Sequence, residues 1–373
     1  MISTPADWQT IPEILPAARL ALSPPAWAFS GSGPETEVTV RRNRAAFDRL
    51  ALMPRVLRGV SERDLCITFL GHRLSLPVML APVGSIQMFH PDGARPSARV
   101  AERAGTMSFV ATNSTPTLEE ARAASNAPMV FQLYVYGDRE WQTTMLRRVE
   151  NAGYDALCVT VDSPDSGVRD RRFANRQRWS ERTERANGEA EPGSRAARAA
   201  ERNRYLAGLT WDDLAWLREQ TRLPMILKGL LSPLDAELAV EHGMDVVYVS
   251  NHGGRRQDQL PSTIEVLPRI LEAVNGRAEV VVDSGFMRGT DVVKALALGA
   301  TAVGIGKLMI WALAAGGEAG LERALELLRR EISATMANVG ARTIAELTPG
   351  LVVPSFAPPA APWPVEPMDL VGF

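Results

Sequence analysis

EVVVDSGFMRGTDVVKALALGATAVGIGK, Glu279–Lys307, holds one complete unit of the pattern that recurs through this chain. A β-branched run ends in Asp283-Ser284-Gly285, an amphipathic segment (TDVVKALALG) follows, and a second apolar run from Ala302 ends in Gly306-Lys307. Strands that are apolar at every position, rather than at alternate ones, belong to parallel sheets buried on both faces. Comparable runs begin at Pro77 (PVMLAP), Met107 (MSFVAT), Met129 (MVFQLY), Ala156 (ALCVTVD), Pro224 (PMILKG) and Val246 (VVYVSN). Neighbouring starts lie 22 to 33 residues apart, except for a gap of 68 between Ala156 and Pro224. Eight such units predict an α/β fold, a closed (β/α)8 TIM barrel, in preference to an open sheet with unpaired edges.

The remaining sequence frames this barrel. Residues 1–76 read as an N-terminal helical and loop extension, with FSGSGPETEVTV a glycine-rich turn before a helix; the barrel spans 77–348. The long gap after the fourth strand is an insertion, 165–208, whose first forty residues (165–204) carry eleven arginines and seven acids. That composition buries no core and reads as a solvated segment; its place over the barrel mouth favours a mobile lid. The proline-rich tail, 349–373, is expected to lie extended over its own barrel or a neighbour's.

Composition excludes several functions. The 373 residues are 46% hydrophobic and 23% charged, with 41 basic against 43 acidic side chains and a net charge of −2. Disorder and an electrostatic nucleic-acid footprint are both excluded on those grounds. Only Lys228, Lys294 and Lys307 are lysines, the other basic residues being arginine, as coding bias would produce. Cys66 and Cys158 match no metal or redox spacing, which points to a reducing compartment and no metal. The apolar stretch Ala295–Gly317 carries Lys307 and several glycines, and reads as a helix end, a strand and another helix rather than a membrane span. With no export signal visible, a cytoplasmic protein without a membrane partner is expected.

In such a barrel, ligands meet the C-terminal ends of the strands. Those ends carry Pro82-Val83-Gly84, Thr112-Asn113, Gln132 and Tyr134, Thr160 and Asp162, Lys228, Ser250-Asn251-His252, Asp283-Ser284-Gly285 and Gly306-Lys307. Residues two apart face one way, so Gln132 pairs with Tyr134, and Thr160 with Asp162, towards the interior. The strongest local signal is VSNHGGRRQD, Val249–Asp258. His252 supplies a base of near-neutral pKa, Arg255 a fixed cation, and the two glycines a backbone free to bend around a ligand.

On these residues the chain resembles the FMN-dependent α-hydroxy-acid oxidising family, which includes glycolate oxidases, lactate oxidases, lactate 2-monooxygenases and mandelate dehydrogenases. The resemblance runs from about Phe29 to about Thr348 through APVGS…HPDG, FQLYVYGDR, TVDSP…GVRD, LTWDDLAWLREQTRLPMILKG, VSNHGGR and RGTDVVKALALGA. LTWDDLAWLREQTRLP and DSG look most similar to the lactate 2-monooxygenases. The resemblance implies that His252 removes the substrate hydroxyl proton as the α-hydrogen leaves for the flavin, that Asp162 holds the imidazolium, and that Arg169 and Arg255 clamp the substrate carboxylate. Tyr134 would hydrogen-bond the substrate, and Trp27 would line its pocket. Lys228 would lie beside the flavin ring. Gln132, Thr160 and Ser250 would border the isoalloxazine, Thr112 would also contact the cofactor, and the backbone of Pro82, Val83 and Gly84 would lie near N5. Asp283 would contact the ribityl chain, and Gly285, Arg288, Gly306 and Lys307 the phosphate.

Four positions depart from the family pattern. Trp27 replaces a common tyrosine, Asn113 a common tryptophan, and Gly84 a common alanine. Met287 replaces the phosphate-binding arginine, with Arg288 beside it and Lys307 in place of a second arginine. The expected activity is FMN-dependent oxidation of an (S)-2-hydroxy acid to the 2-oxo acid, with oxygen as acceptor in the manner of an oxidase or a monooxygenase. A dehydrogenase using a quinone or protein acceptor, and a catalytically altered FMN-binding homologue, are the alternatives; an FMN-barrel isomerase or IMP-dehydrogenase-like barrel has no need of Arg169 and Arg255 beside His252. A homo-oligomer, tetramer or octamer, is expected.

Overall fold

The computed structural model describes residues 4–165, 167–170 and 195–355. In chain order its strands are β1 (Leu50–Leu52), β2 (Ile67–Phe69), β3 (His72–Leu74), β4 (Val78–Leu80), β5 (Ser108–Ala111), β6 (Met129–Leu133), β7 (Ala156–Thr160), β8 (Met225–Leu230), β9 (Val246–Val249), β10 (Glu279–Val282), β11 (Ala302–Ile305) and β12 (Val352–Pro354). β4 to β11 close into one parallel barrel in sequence order, β11 pairing back onto β4. These are the eight runs marked in the sequence. Helices follow the strands around the outside, and two elements stand apart, the β2–β3 hairpin and the β1–β12 ribbon.

Alternation along each strand divides the core in two. Leu80, Val110, Phe131, Val159, Leu227, Val247 and Val282 join the outer cluster against the helices, whereas Met79, Phe109, Val130, Cys158, Ile226, Tyr248 and Val281 fill the barrel. Phe69 and Leu74, from the hairpin, belong to the inner cluster. The hairpin turn is tied to the barrel floor by the Leu70 N–H, which donates to Glu279 at the start of β10 (3.0 Å). With one end plugged in this way, the other end is left for ligands.

The interior phase continues two residues beyond that apolar layer and becomes polar. Val130 leads to Gln132, Cys158 to Thr160, Ile226 to Lys228, Tyr248 to Ser250, and Val281 to Asp283, all five buried. The step on the other side is small: Met79 leads to Ala81, and Phe109 to Ala111.

The N-terminal extension is locked onto the mouth. Helix Val38–Asp48 begins where Asp258 accepts from the N–H groups of Val38 (3.1 Å) and Thr39 (2.7 Å). Asn43 and Asn251 exchange amide hydrogen bonds of 2.8 and 2.6 Å. This docking explains Gly254: a Cβ there would stand 2.8 Å from the Val40 nitrogen, and its φ is +72°. Gly254 thus serves this helix contact as well as the bend expected of the NHGG glycines.

The insertion forms a helix over Arg195–Gly208, while its residues 166 and 171–194 lie outside the described residues, as do 1–3 and 356–373. The tail begins with a 3-10 turn, Pro349–Leu351, before β12 runs extended and antiparallel to β1. Ala295–Gly317 divides into a helix end, a strand and a further helix, and among the described residues no helix is long and apolar enough to cross a membrane.

Candidate active site

The third residue after β9 is strained into service. His252 has φ +58°, a conformation uncommon outside glycine, and Gly253 and Gly254 continue it at +70° and +72°. The turn brings the imidazole back over the mouth, fastened by its own N–H to Ser250 Oγ (3.1 Å). Its Nδ1 lies 2.9 Å from Asp162 Oδ1, and its Nε2 lies 3.3 Å from the Tyr134 hydroxyl. Gly229 makes room for the carboxylate: at φ +117°, a Cβ there would meet the Asp162 Cβ at 2.6 Å.

This geometry sets the proton positions. An ionised Asp162 accepts from Nδ1–H and leaves the Nε2 lone pair facing the pocket. Burial lowers the His252 pKa to about 4 against the opposing pull of Asp162, with Arg256 adding to the depression. Burial raises Asp162, but His252, Lys228 and Arg256 outweigh it and bring its pKa to about 2. At neutral pH the pair is therefore a neutral imidazole beside a carboxylate, ready to take a proton and hold the resulting charge.

Cations stand around this base. Arg255 donates to the Phe29 carbonyl, and its guanidinium carbon lies 4.4 Å from the Phe29 ring centroid. Burial, then Arg169 and Arg256, push its pKa well below the usual arginine value. Arg169 reaches the same place, with Nη2 donating to the Arg255 carbonyl (3.1 Å). Arg256 Nη2 donates to the Tyr134 hydroxyl (3.3 Å). Base, phenol and guanidinium groups are thus joined by direct contacts between the ends of β6, β7 and β9.

Beside them, the polar layer forms a second region. Lys228 Nζ donates to Ser250 Oγ (2.7 Å) and pairs with Asp283 Oδ2 (3.0 Å). Burial opposes its charge, yet Asp283 and then Asp162 raise its pKa, so it stays an ammonium ion. Gln132 Nε2 donates to Thr160 Oγ1 (2.8 Å), and the Gln132 carbonyl accepts from Thr112 Oγ1 (2.7 Å). A fixed cation, an amide and three hydroxyls in one buried layer suit the polar edge of a flat heterocycle. Further round, Gly306 precedes helix Lys307–Val339 with no side chain capping its N–H groups, and Lys307 Nζ lies 3.2 Å from the Gly253 carbonyl. A helix N-terminus with a lysine at its first position is suited to a phosphate. A Cβ on Gly306 would meet nothing nearer than Val83, at 3.8 Å.

Some expected residues sit elsewhere. The guanidinium of Arg288, expected at the phosphate, is instead gripped by Glu331 at 2.7 to 3.0 Å. Glu331 also accepts from the Gly289 N–H (2.7 Å), so it takes up both the helix start and the charge. Met287 is buried in the outer core. Trp27 packs on Trp311, with centroids 5.7 Å apart, and it is Phe29, two residues on, that meets Arg255. Gly84 lies against Asn113, whose Cβ would be 3.3 Å from an added methyl. Asn113 Nδ2 donates to the Tyr136 hydroxyl (2.6 Å), and Tyr136 stacks on Tyr134. Phe29, Tyr136 and Arg256 were not singled out from sequence. Tyr136 shares the i+2 phase of Gln132 and Tyr134, and Arg256 adjoins Arg255, so both carried a signal.

A family model for FMN-dependent dehydrogenases matches residues 18–354. Glycolate oxidase 1 of Zea mays is 40% identical over 338 residues, 89% of this chain and 92% of that protein. An L-lactate oxidase of a Nostoc species is 40% identical over 342 residues, 88% and 94% of the two chains. Among solved structures, a soluble mutant of the membrane-associated (S)-mandelate dehydrogenase from Pseudomonas putida superposes with a TM-score of 0.87 at 34% identity, covering 93% of this chain and 99% of the other. A mandelate oxidase mutant with an FMN adduct gives 0.81 at 37% identity, covering 89% and 96%.

Proposed function

This chain belongs to the FMN-dependent dehydrogenase family, and from that premise we propose that it oxidises an (S)-2-hydroxy acid to the corresponding 2-oxo acid, with oxygen as the final acceptor. The observation that carries this reading is the His252–Asp162 pair, set against Tyr134 and within a shell that includes Arg255 and Arg169. A neutral base with its partner carboxylate fixed, beside an Arg255 that no carboxylate among the described residues pairs with, matches a substrate bearing both a hydroxyl and a carboxylate.

The residues present fit the cofactor. Lys228, Gln132, Thr160 and Ser250 offer a cation, an amide and hydroxyls for the ring edge, and Lys307 with the uncapped helix start offers a phosphate seat. Bound there, FMN supplies the two-electron acceptor for the α-hydrogen. The protein does the remainder. The Arg255 and Arg169 guanidiniums hold the carboxylate in a fork that fixes the substrate's orientation. Tyr134 donates to the substrate oxygen, and His252 Nε2 takes the hydroxyl proton. Asp162 then stabilises the imidazolium at its other nitrogen.

The test is anaerobic mixing of the FMN-loaded enzyme with a panel of (S)-2-hydroxy acids. Bleaching of the oxidised flavin spectrum and appearance of the 2-oxo acid support the reading; a spectrum unchanged across the panel refutes it. Admitting air then assigns the acceptor. Hydrogen peroxide with intact 2-oxo acid marks an oxidase, a decarboxylated acid a monooxygenase, and flavin that stays reduced a dehydrogenase with another acceptor. The proposal includes a cytoplasmic setting and a tetramer or octamer, the former in keeping with two free thiols, Cys66 and Cys158.

A further inference from the structure

Arg256 stands one hydroxyl away from the base, its Nη2 3.3 Å from Tyr134 Oη, which is itself 3.3 Å from His252 Nε2. Its guanidinium carbon lies 5.9 Å from the Tyr134 ring centroid. Its Nε is sealed from solvent and has no hydrogen-bond partner. Among the described residues, no carboxylate pairs with it. Arg44, Arg99 and Arg288, also partly buried, are answered by Asp291, Glu318 and Glu331, while Arg42, Arg122 and Arg329 are satisfied by backbone carbonyls. Within the site, His252 faces Asp162 and Lys228 faces Asp283, whereas among the described residues Arg255 and Arg256 make their direct contacts with carbonyls, a hydroxyl and rings, the Asp162 charge reaching Arg256 without a direct ion pair.

A substrate with one carboxylate answers one of these two guanidiniums and leaves the other desolvated without an anion, a costly arrangement. Arg255 rests on Phe29 and Arg256 on Tyr134, so they present two anion positions, on different walls, rather than one. We propose that Arg256 is a specificity-determining residue that fits this site to a 2-hydroxy acid carrying a second carboxylate. The inference rests on the hydroxy-acid reading above and adds the substrate class. The redox step is unchanged: the Cα–H bond breaks towards the flavin, the hydroxyl proton goes to His252, and the second carboxylate stays intact against Arg256. An unanswered Arg256 also depresses the His252 pKa, so a second carboxylate there would make the base stronger in the complex.

The test compares two acids of one four-carbon skeleton, (S)-malate and (S)-2-hydroxybutanoate, in anaerobic reduction of the FMN-loaded enzyme. The proposal expects malate to be favoured in reduction rate over Kd by on the order of tenfold or more, as one charge-assisted contact provides. Arg256→Gln should shift the ratio of the two acids about tenfold towards 2-hydroxybutanoate, with Arg256→Lys in between. A second readout needs no turnover: malonate and propanoate are titrated against the bound flavin spectrum. Malonate should bind more tightly in the wild type, and that margin should vanish in Arg256→Gln. Equal preference in the wild type, or a ratio unmoved by Arg256→Gln, overturns the proposal and would leave Arg256 a support for Tyr134. Reduction by 2-hydroxybutanoate alone refutes this inference and leaves the hydroxy-acid reading standing; reduction by no acid of the panel refutes both.

Discussion

Replacing Asp162 with Asn tests the division of labour in the catalytic pair while keeping its shape. Asp162 Oδ1 lies 2.9 Å from His252 Nδ1, and a carboxylate of pKa about 2 is ionised at any working pH. When His252 accepts the substrate proton, its charge is centred about 4 Å from that carboxylate, an attraction of about 4 kcal/mol at an effective dielectric constant of about 20. At about 1.4 kcal/mol per decade, its loss should slow flavin reduction by about a thousandfold. The amide can also favour the wrong imidazole tautomer, which adds to the loss. Dissociation constants for unreactive acids should change little, because Arg255 and Arg169 are untouched. The assay is stopped-flow anaerobic reduction at saturating substrate, with a parallel spectral titration using an unreactive acid. Reduction within tenfold of the wild-type rate would show that Asp162 does not stabilise the imidazolium.

Other consequences follow from the same geometry. Because the neutral form of His252 is the base and burial sets its pKa at about 4, reduction efficiency should rise as pH climbs through about 4 and stay level through neutrality; an inflection near the ordinary histidine value of 6.5 would contradict the burial argument. Arg255→Lys should weaken substrate binding by about tenfold or more, since an ammonium loses both the fork and the stacking on Phe29; an unchanged Kd would remove Arg255 from the clamp. Gly304→Ala would place a methyl 1.9 Å from the Tyr248 hydroxyl in the barrel interior, an overpacking that costs about 1–3 kcal/mol. Calorimetry should show a Tm lowered by a few degrees, and an unchanged Tm would mean that Tyr248 moves freely.

The barrel was legible because a parallel strand covered on both faces must be apolar throughout, and the runs from Pro77 to Ala302 each have that character. The polar layer was legible for a related reason. Gln132, Thr160, Lys228, Ser250 and Asp283 break those runs at the end where the interior opens. Long-range pairing was hidden. Glu331, which claims Arg288, lies 43 residues further along the chain, and local sequence gives no sign of it. Gly254 could be recognised as a bend but not as the seat of Val40, because that contact joins the N-terminal extension to the barrel mouth. Trp27 and Phe29 illustrate the same limit. One short helix, Pro24–Gly31, offers both aromatic rings, and the packing of Trp27 on Trp311 leaves Phe29 to meet Arg255.

The central claim is that His252 removes the hydroxyl proton of a 2-hydroxy acid while the α-hydrogen is lost to the bound flavin. Its most direct test is anaerobic single turnover of the FMN-loaded wild type and His252→Ala, with flavin bleaching and 2-oxo acid measured in the same sample. One 2-oxo acid is expected for each flavin bleached in the wild type, and retained FMN with no bleaching over the same period in the variant. Comparable bleaching in both proteins, or none in the wild type with any acid tried, would contradict it.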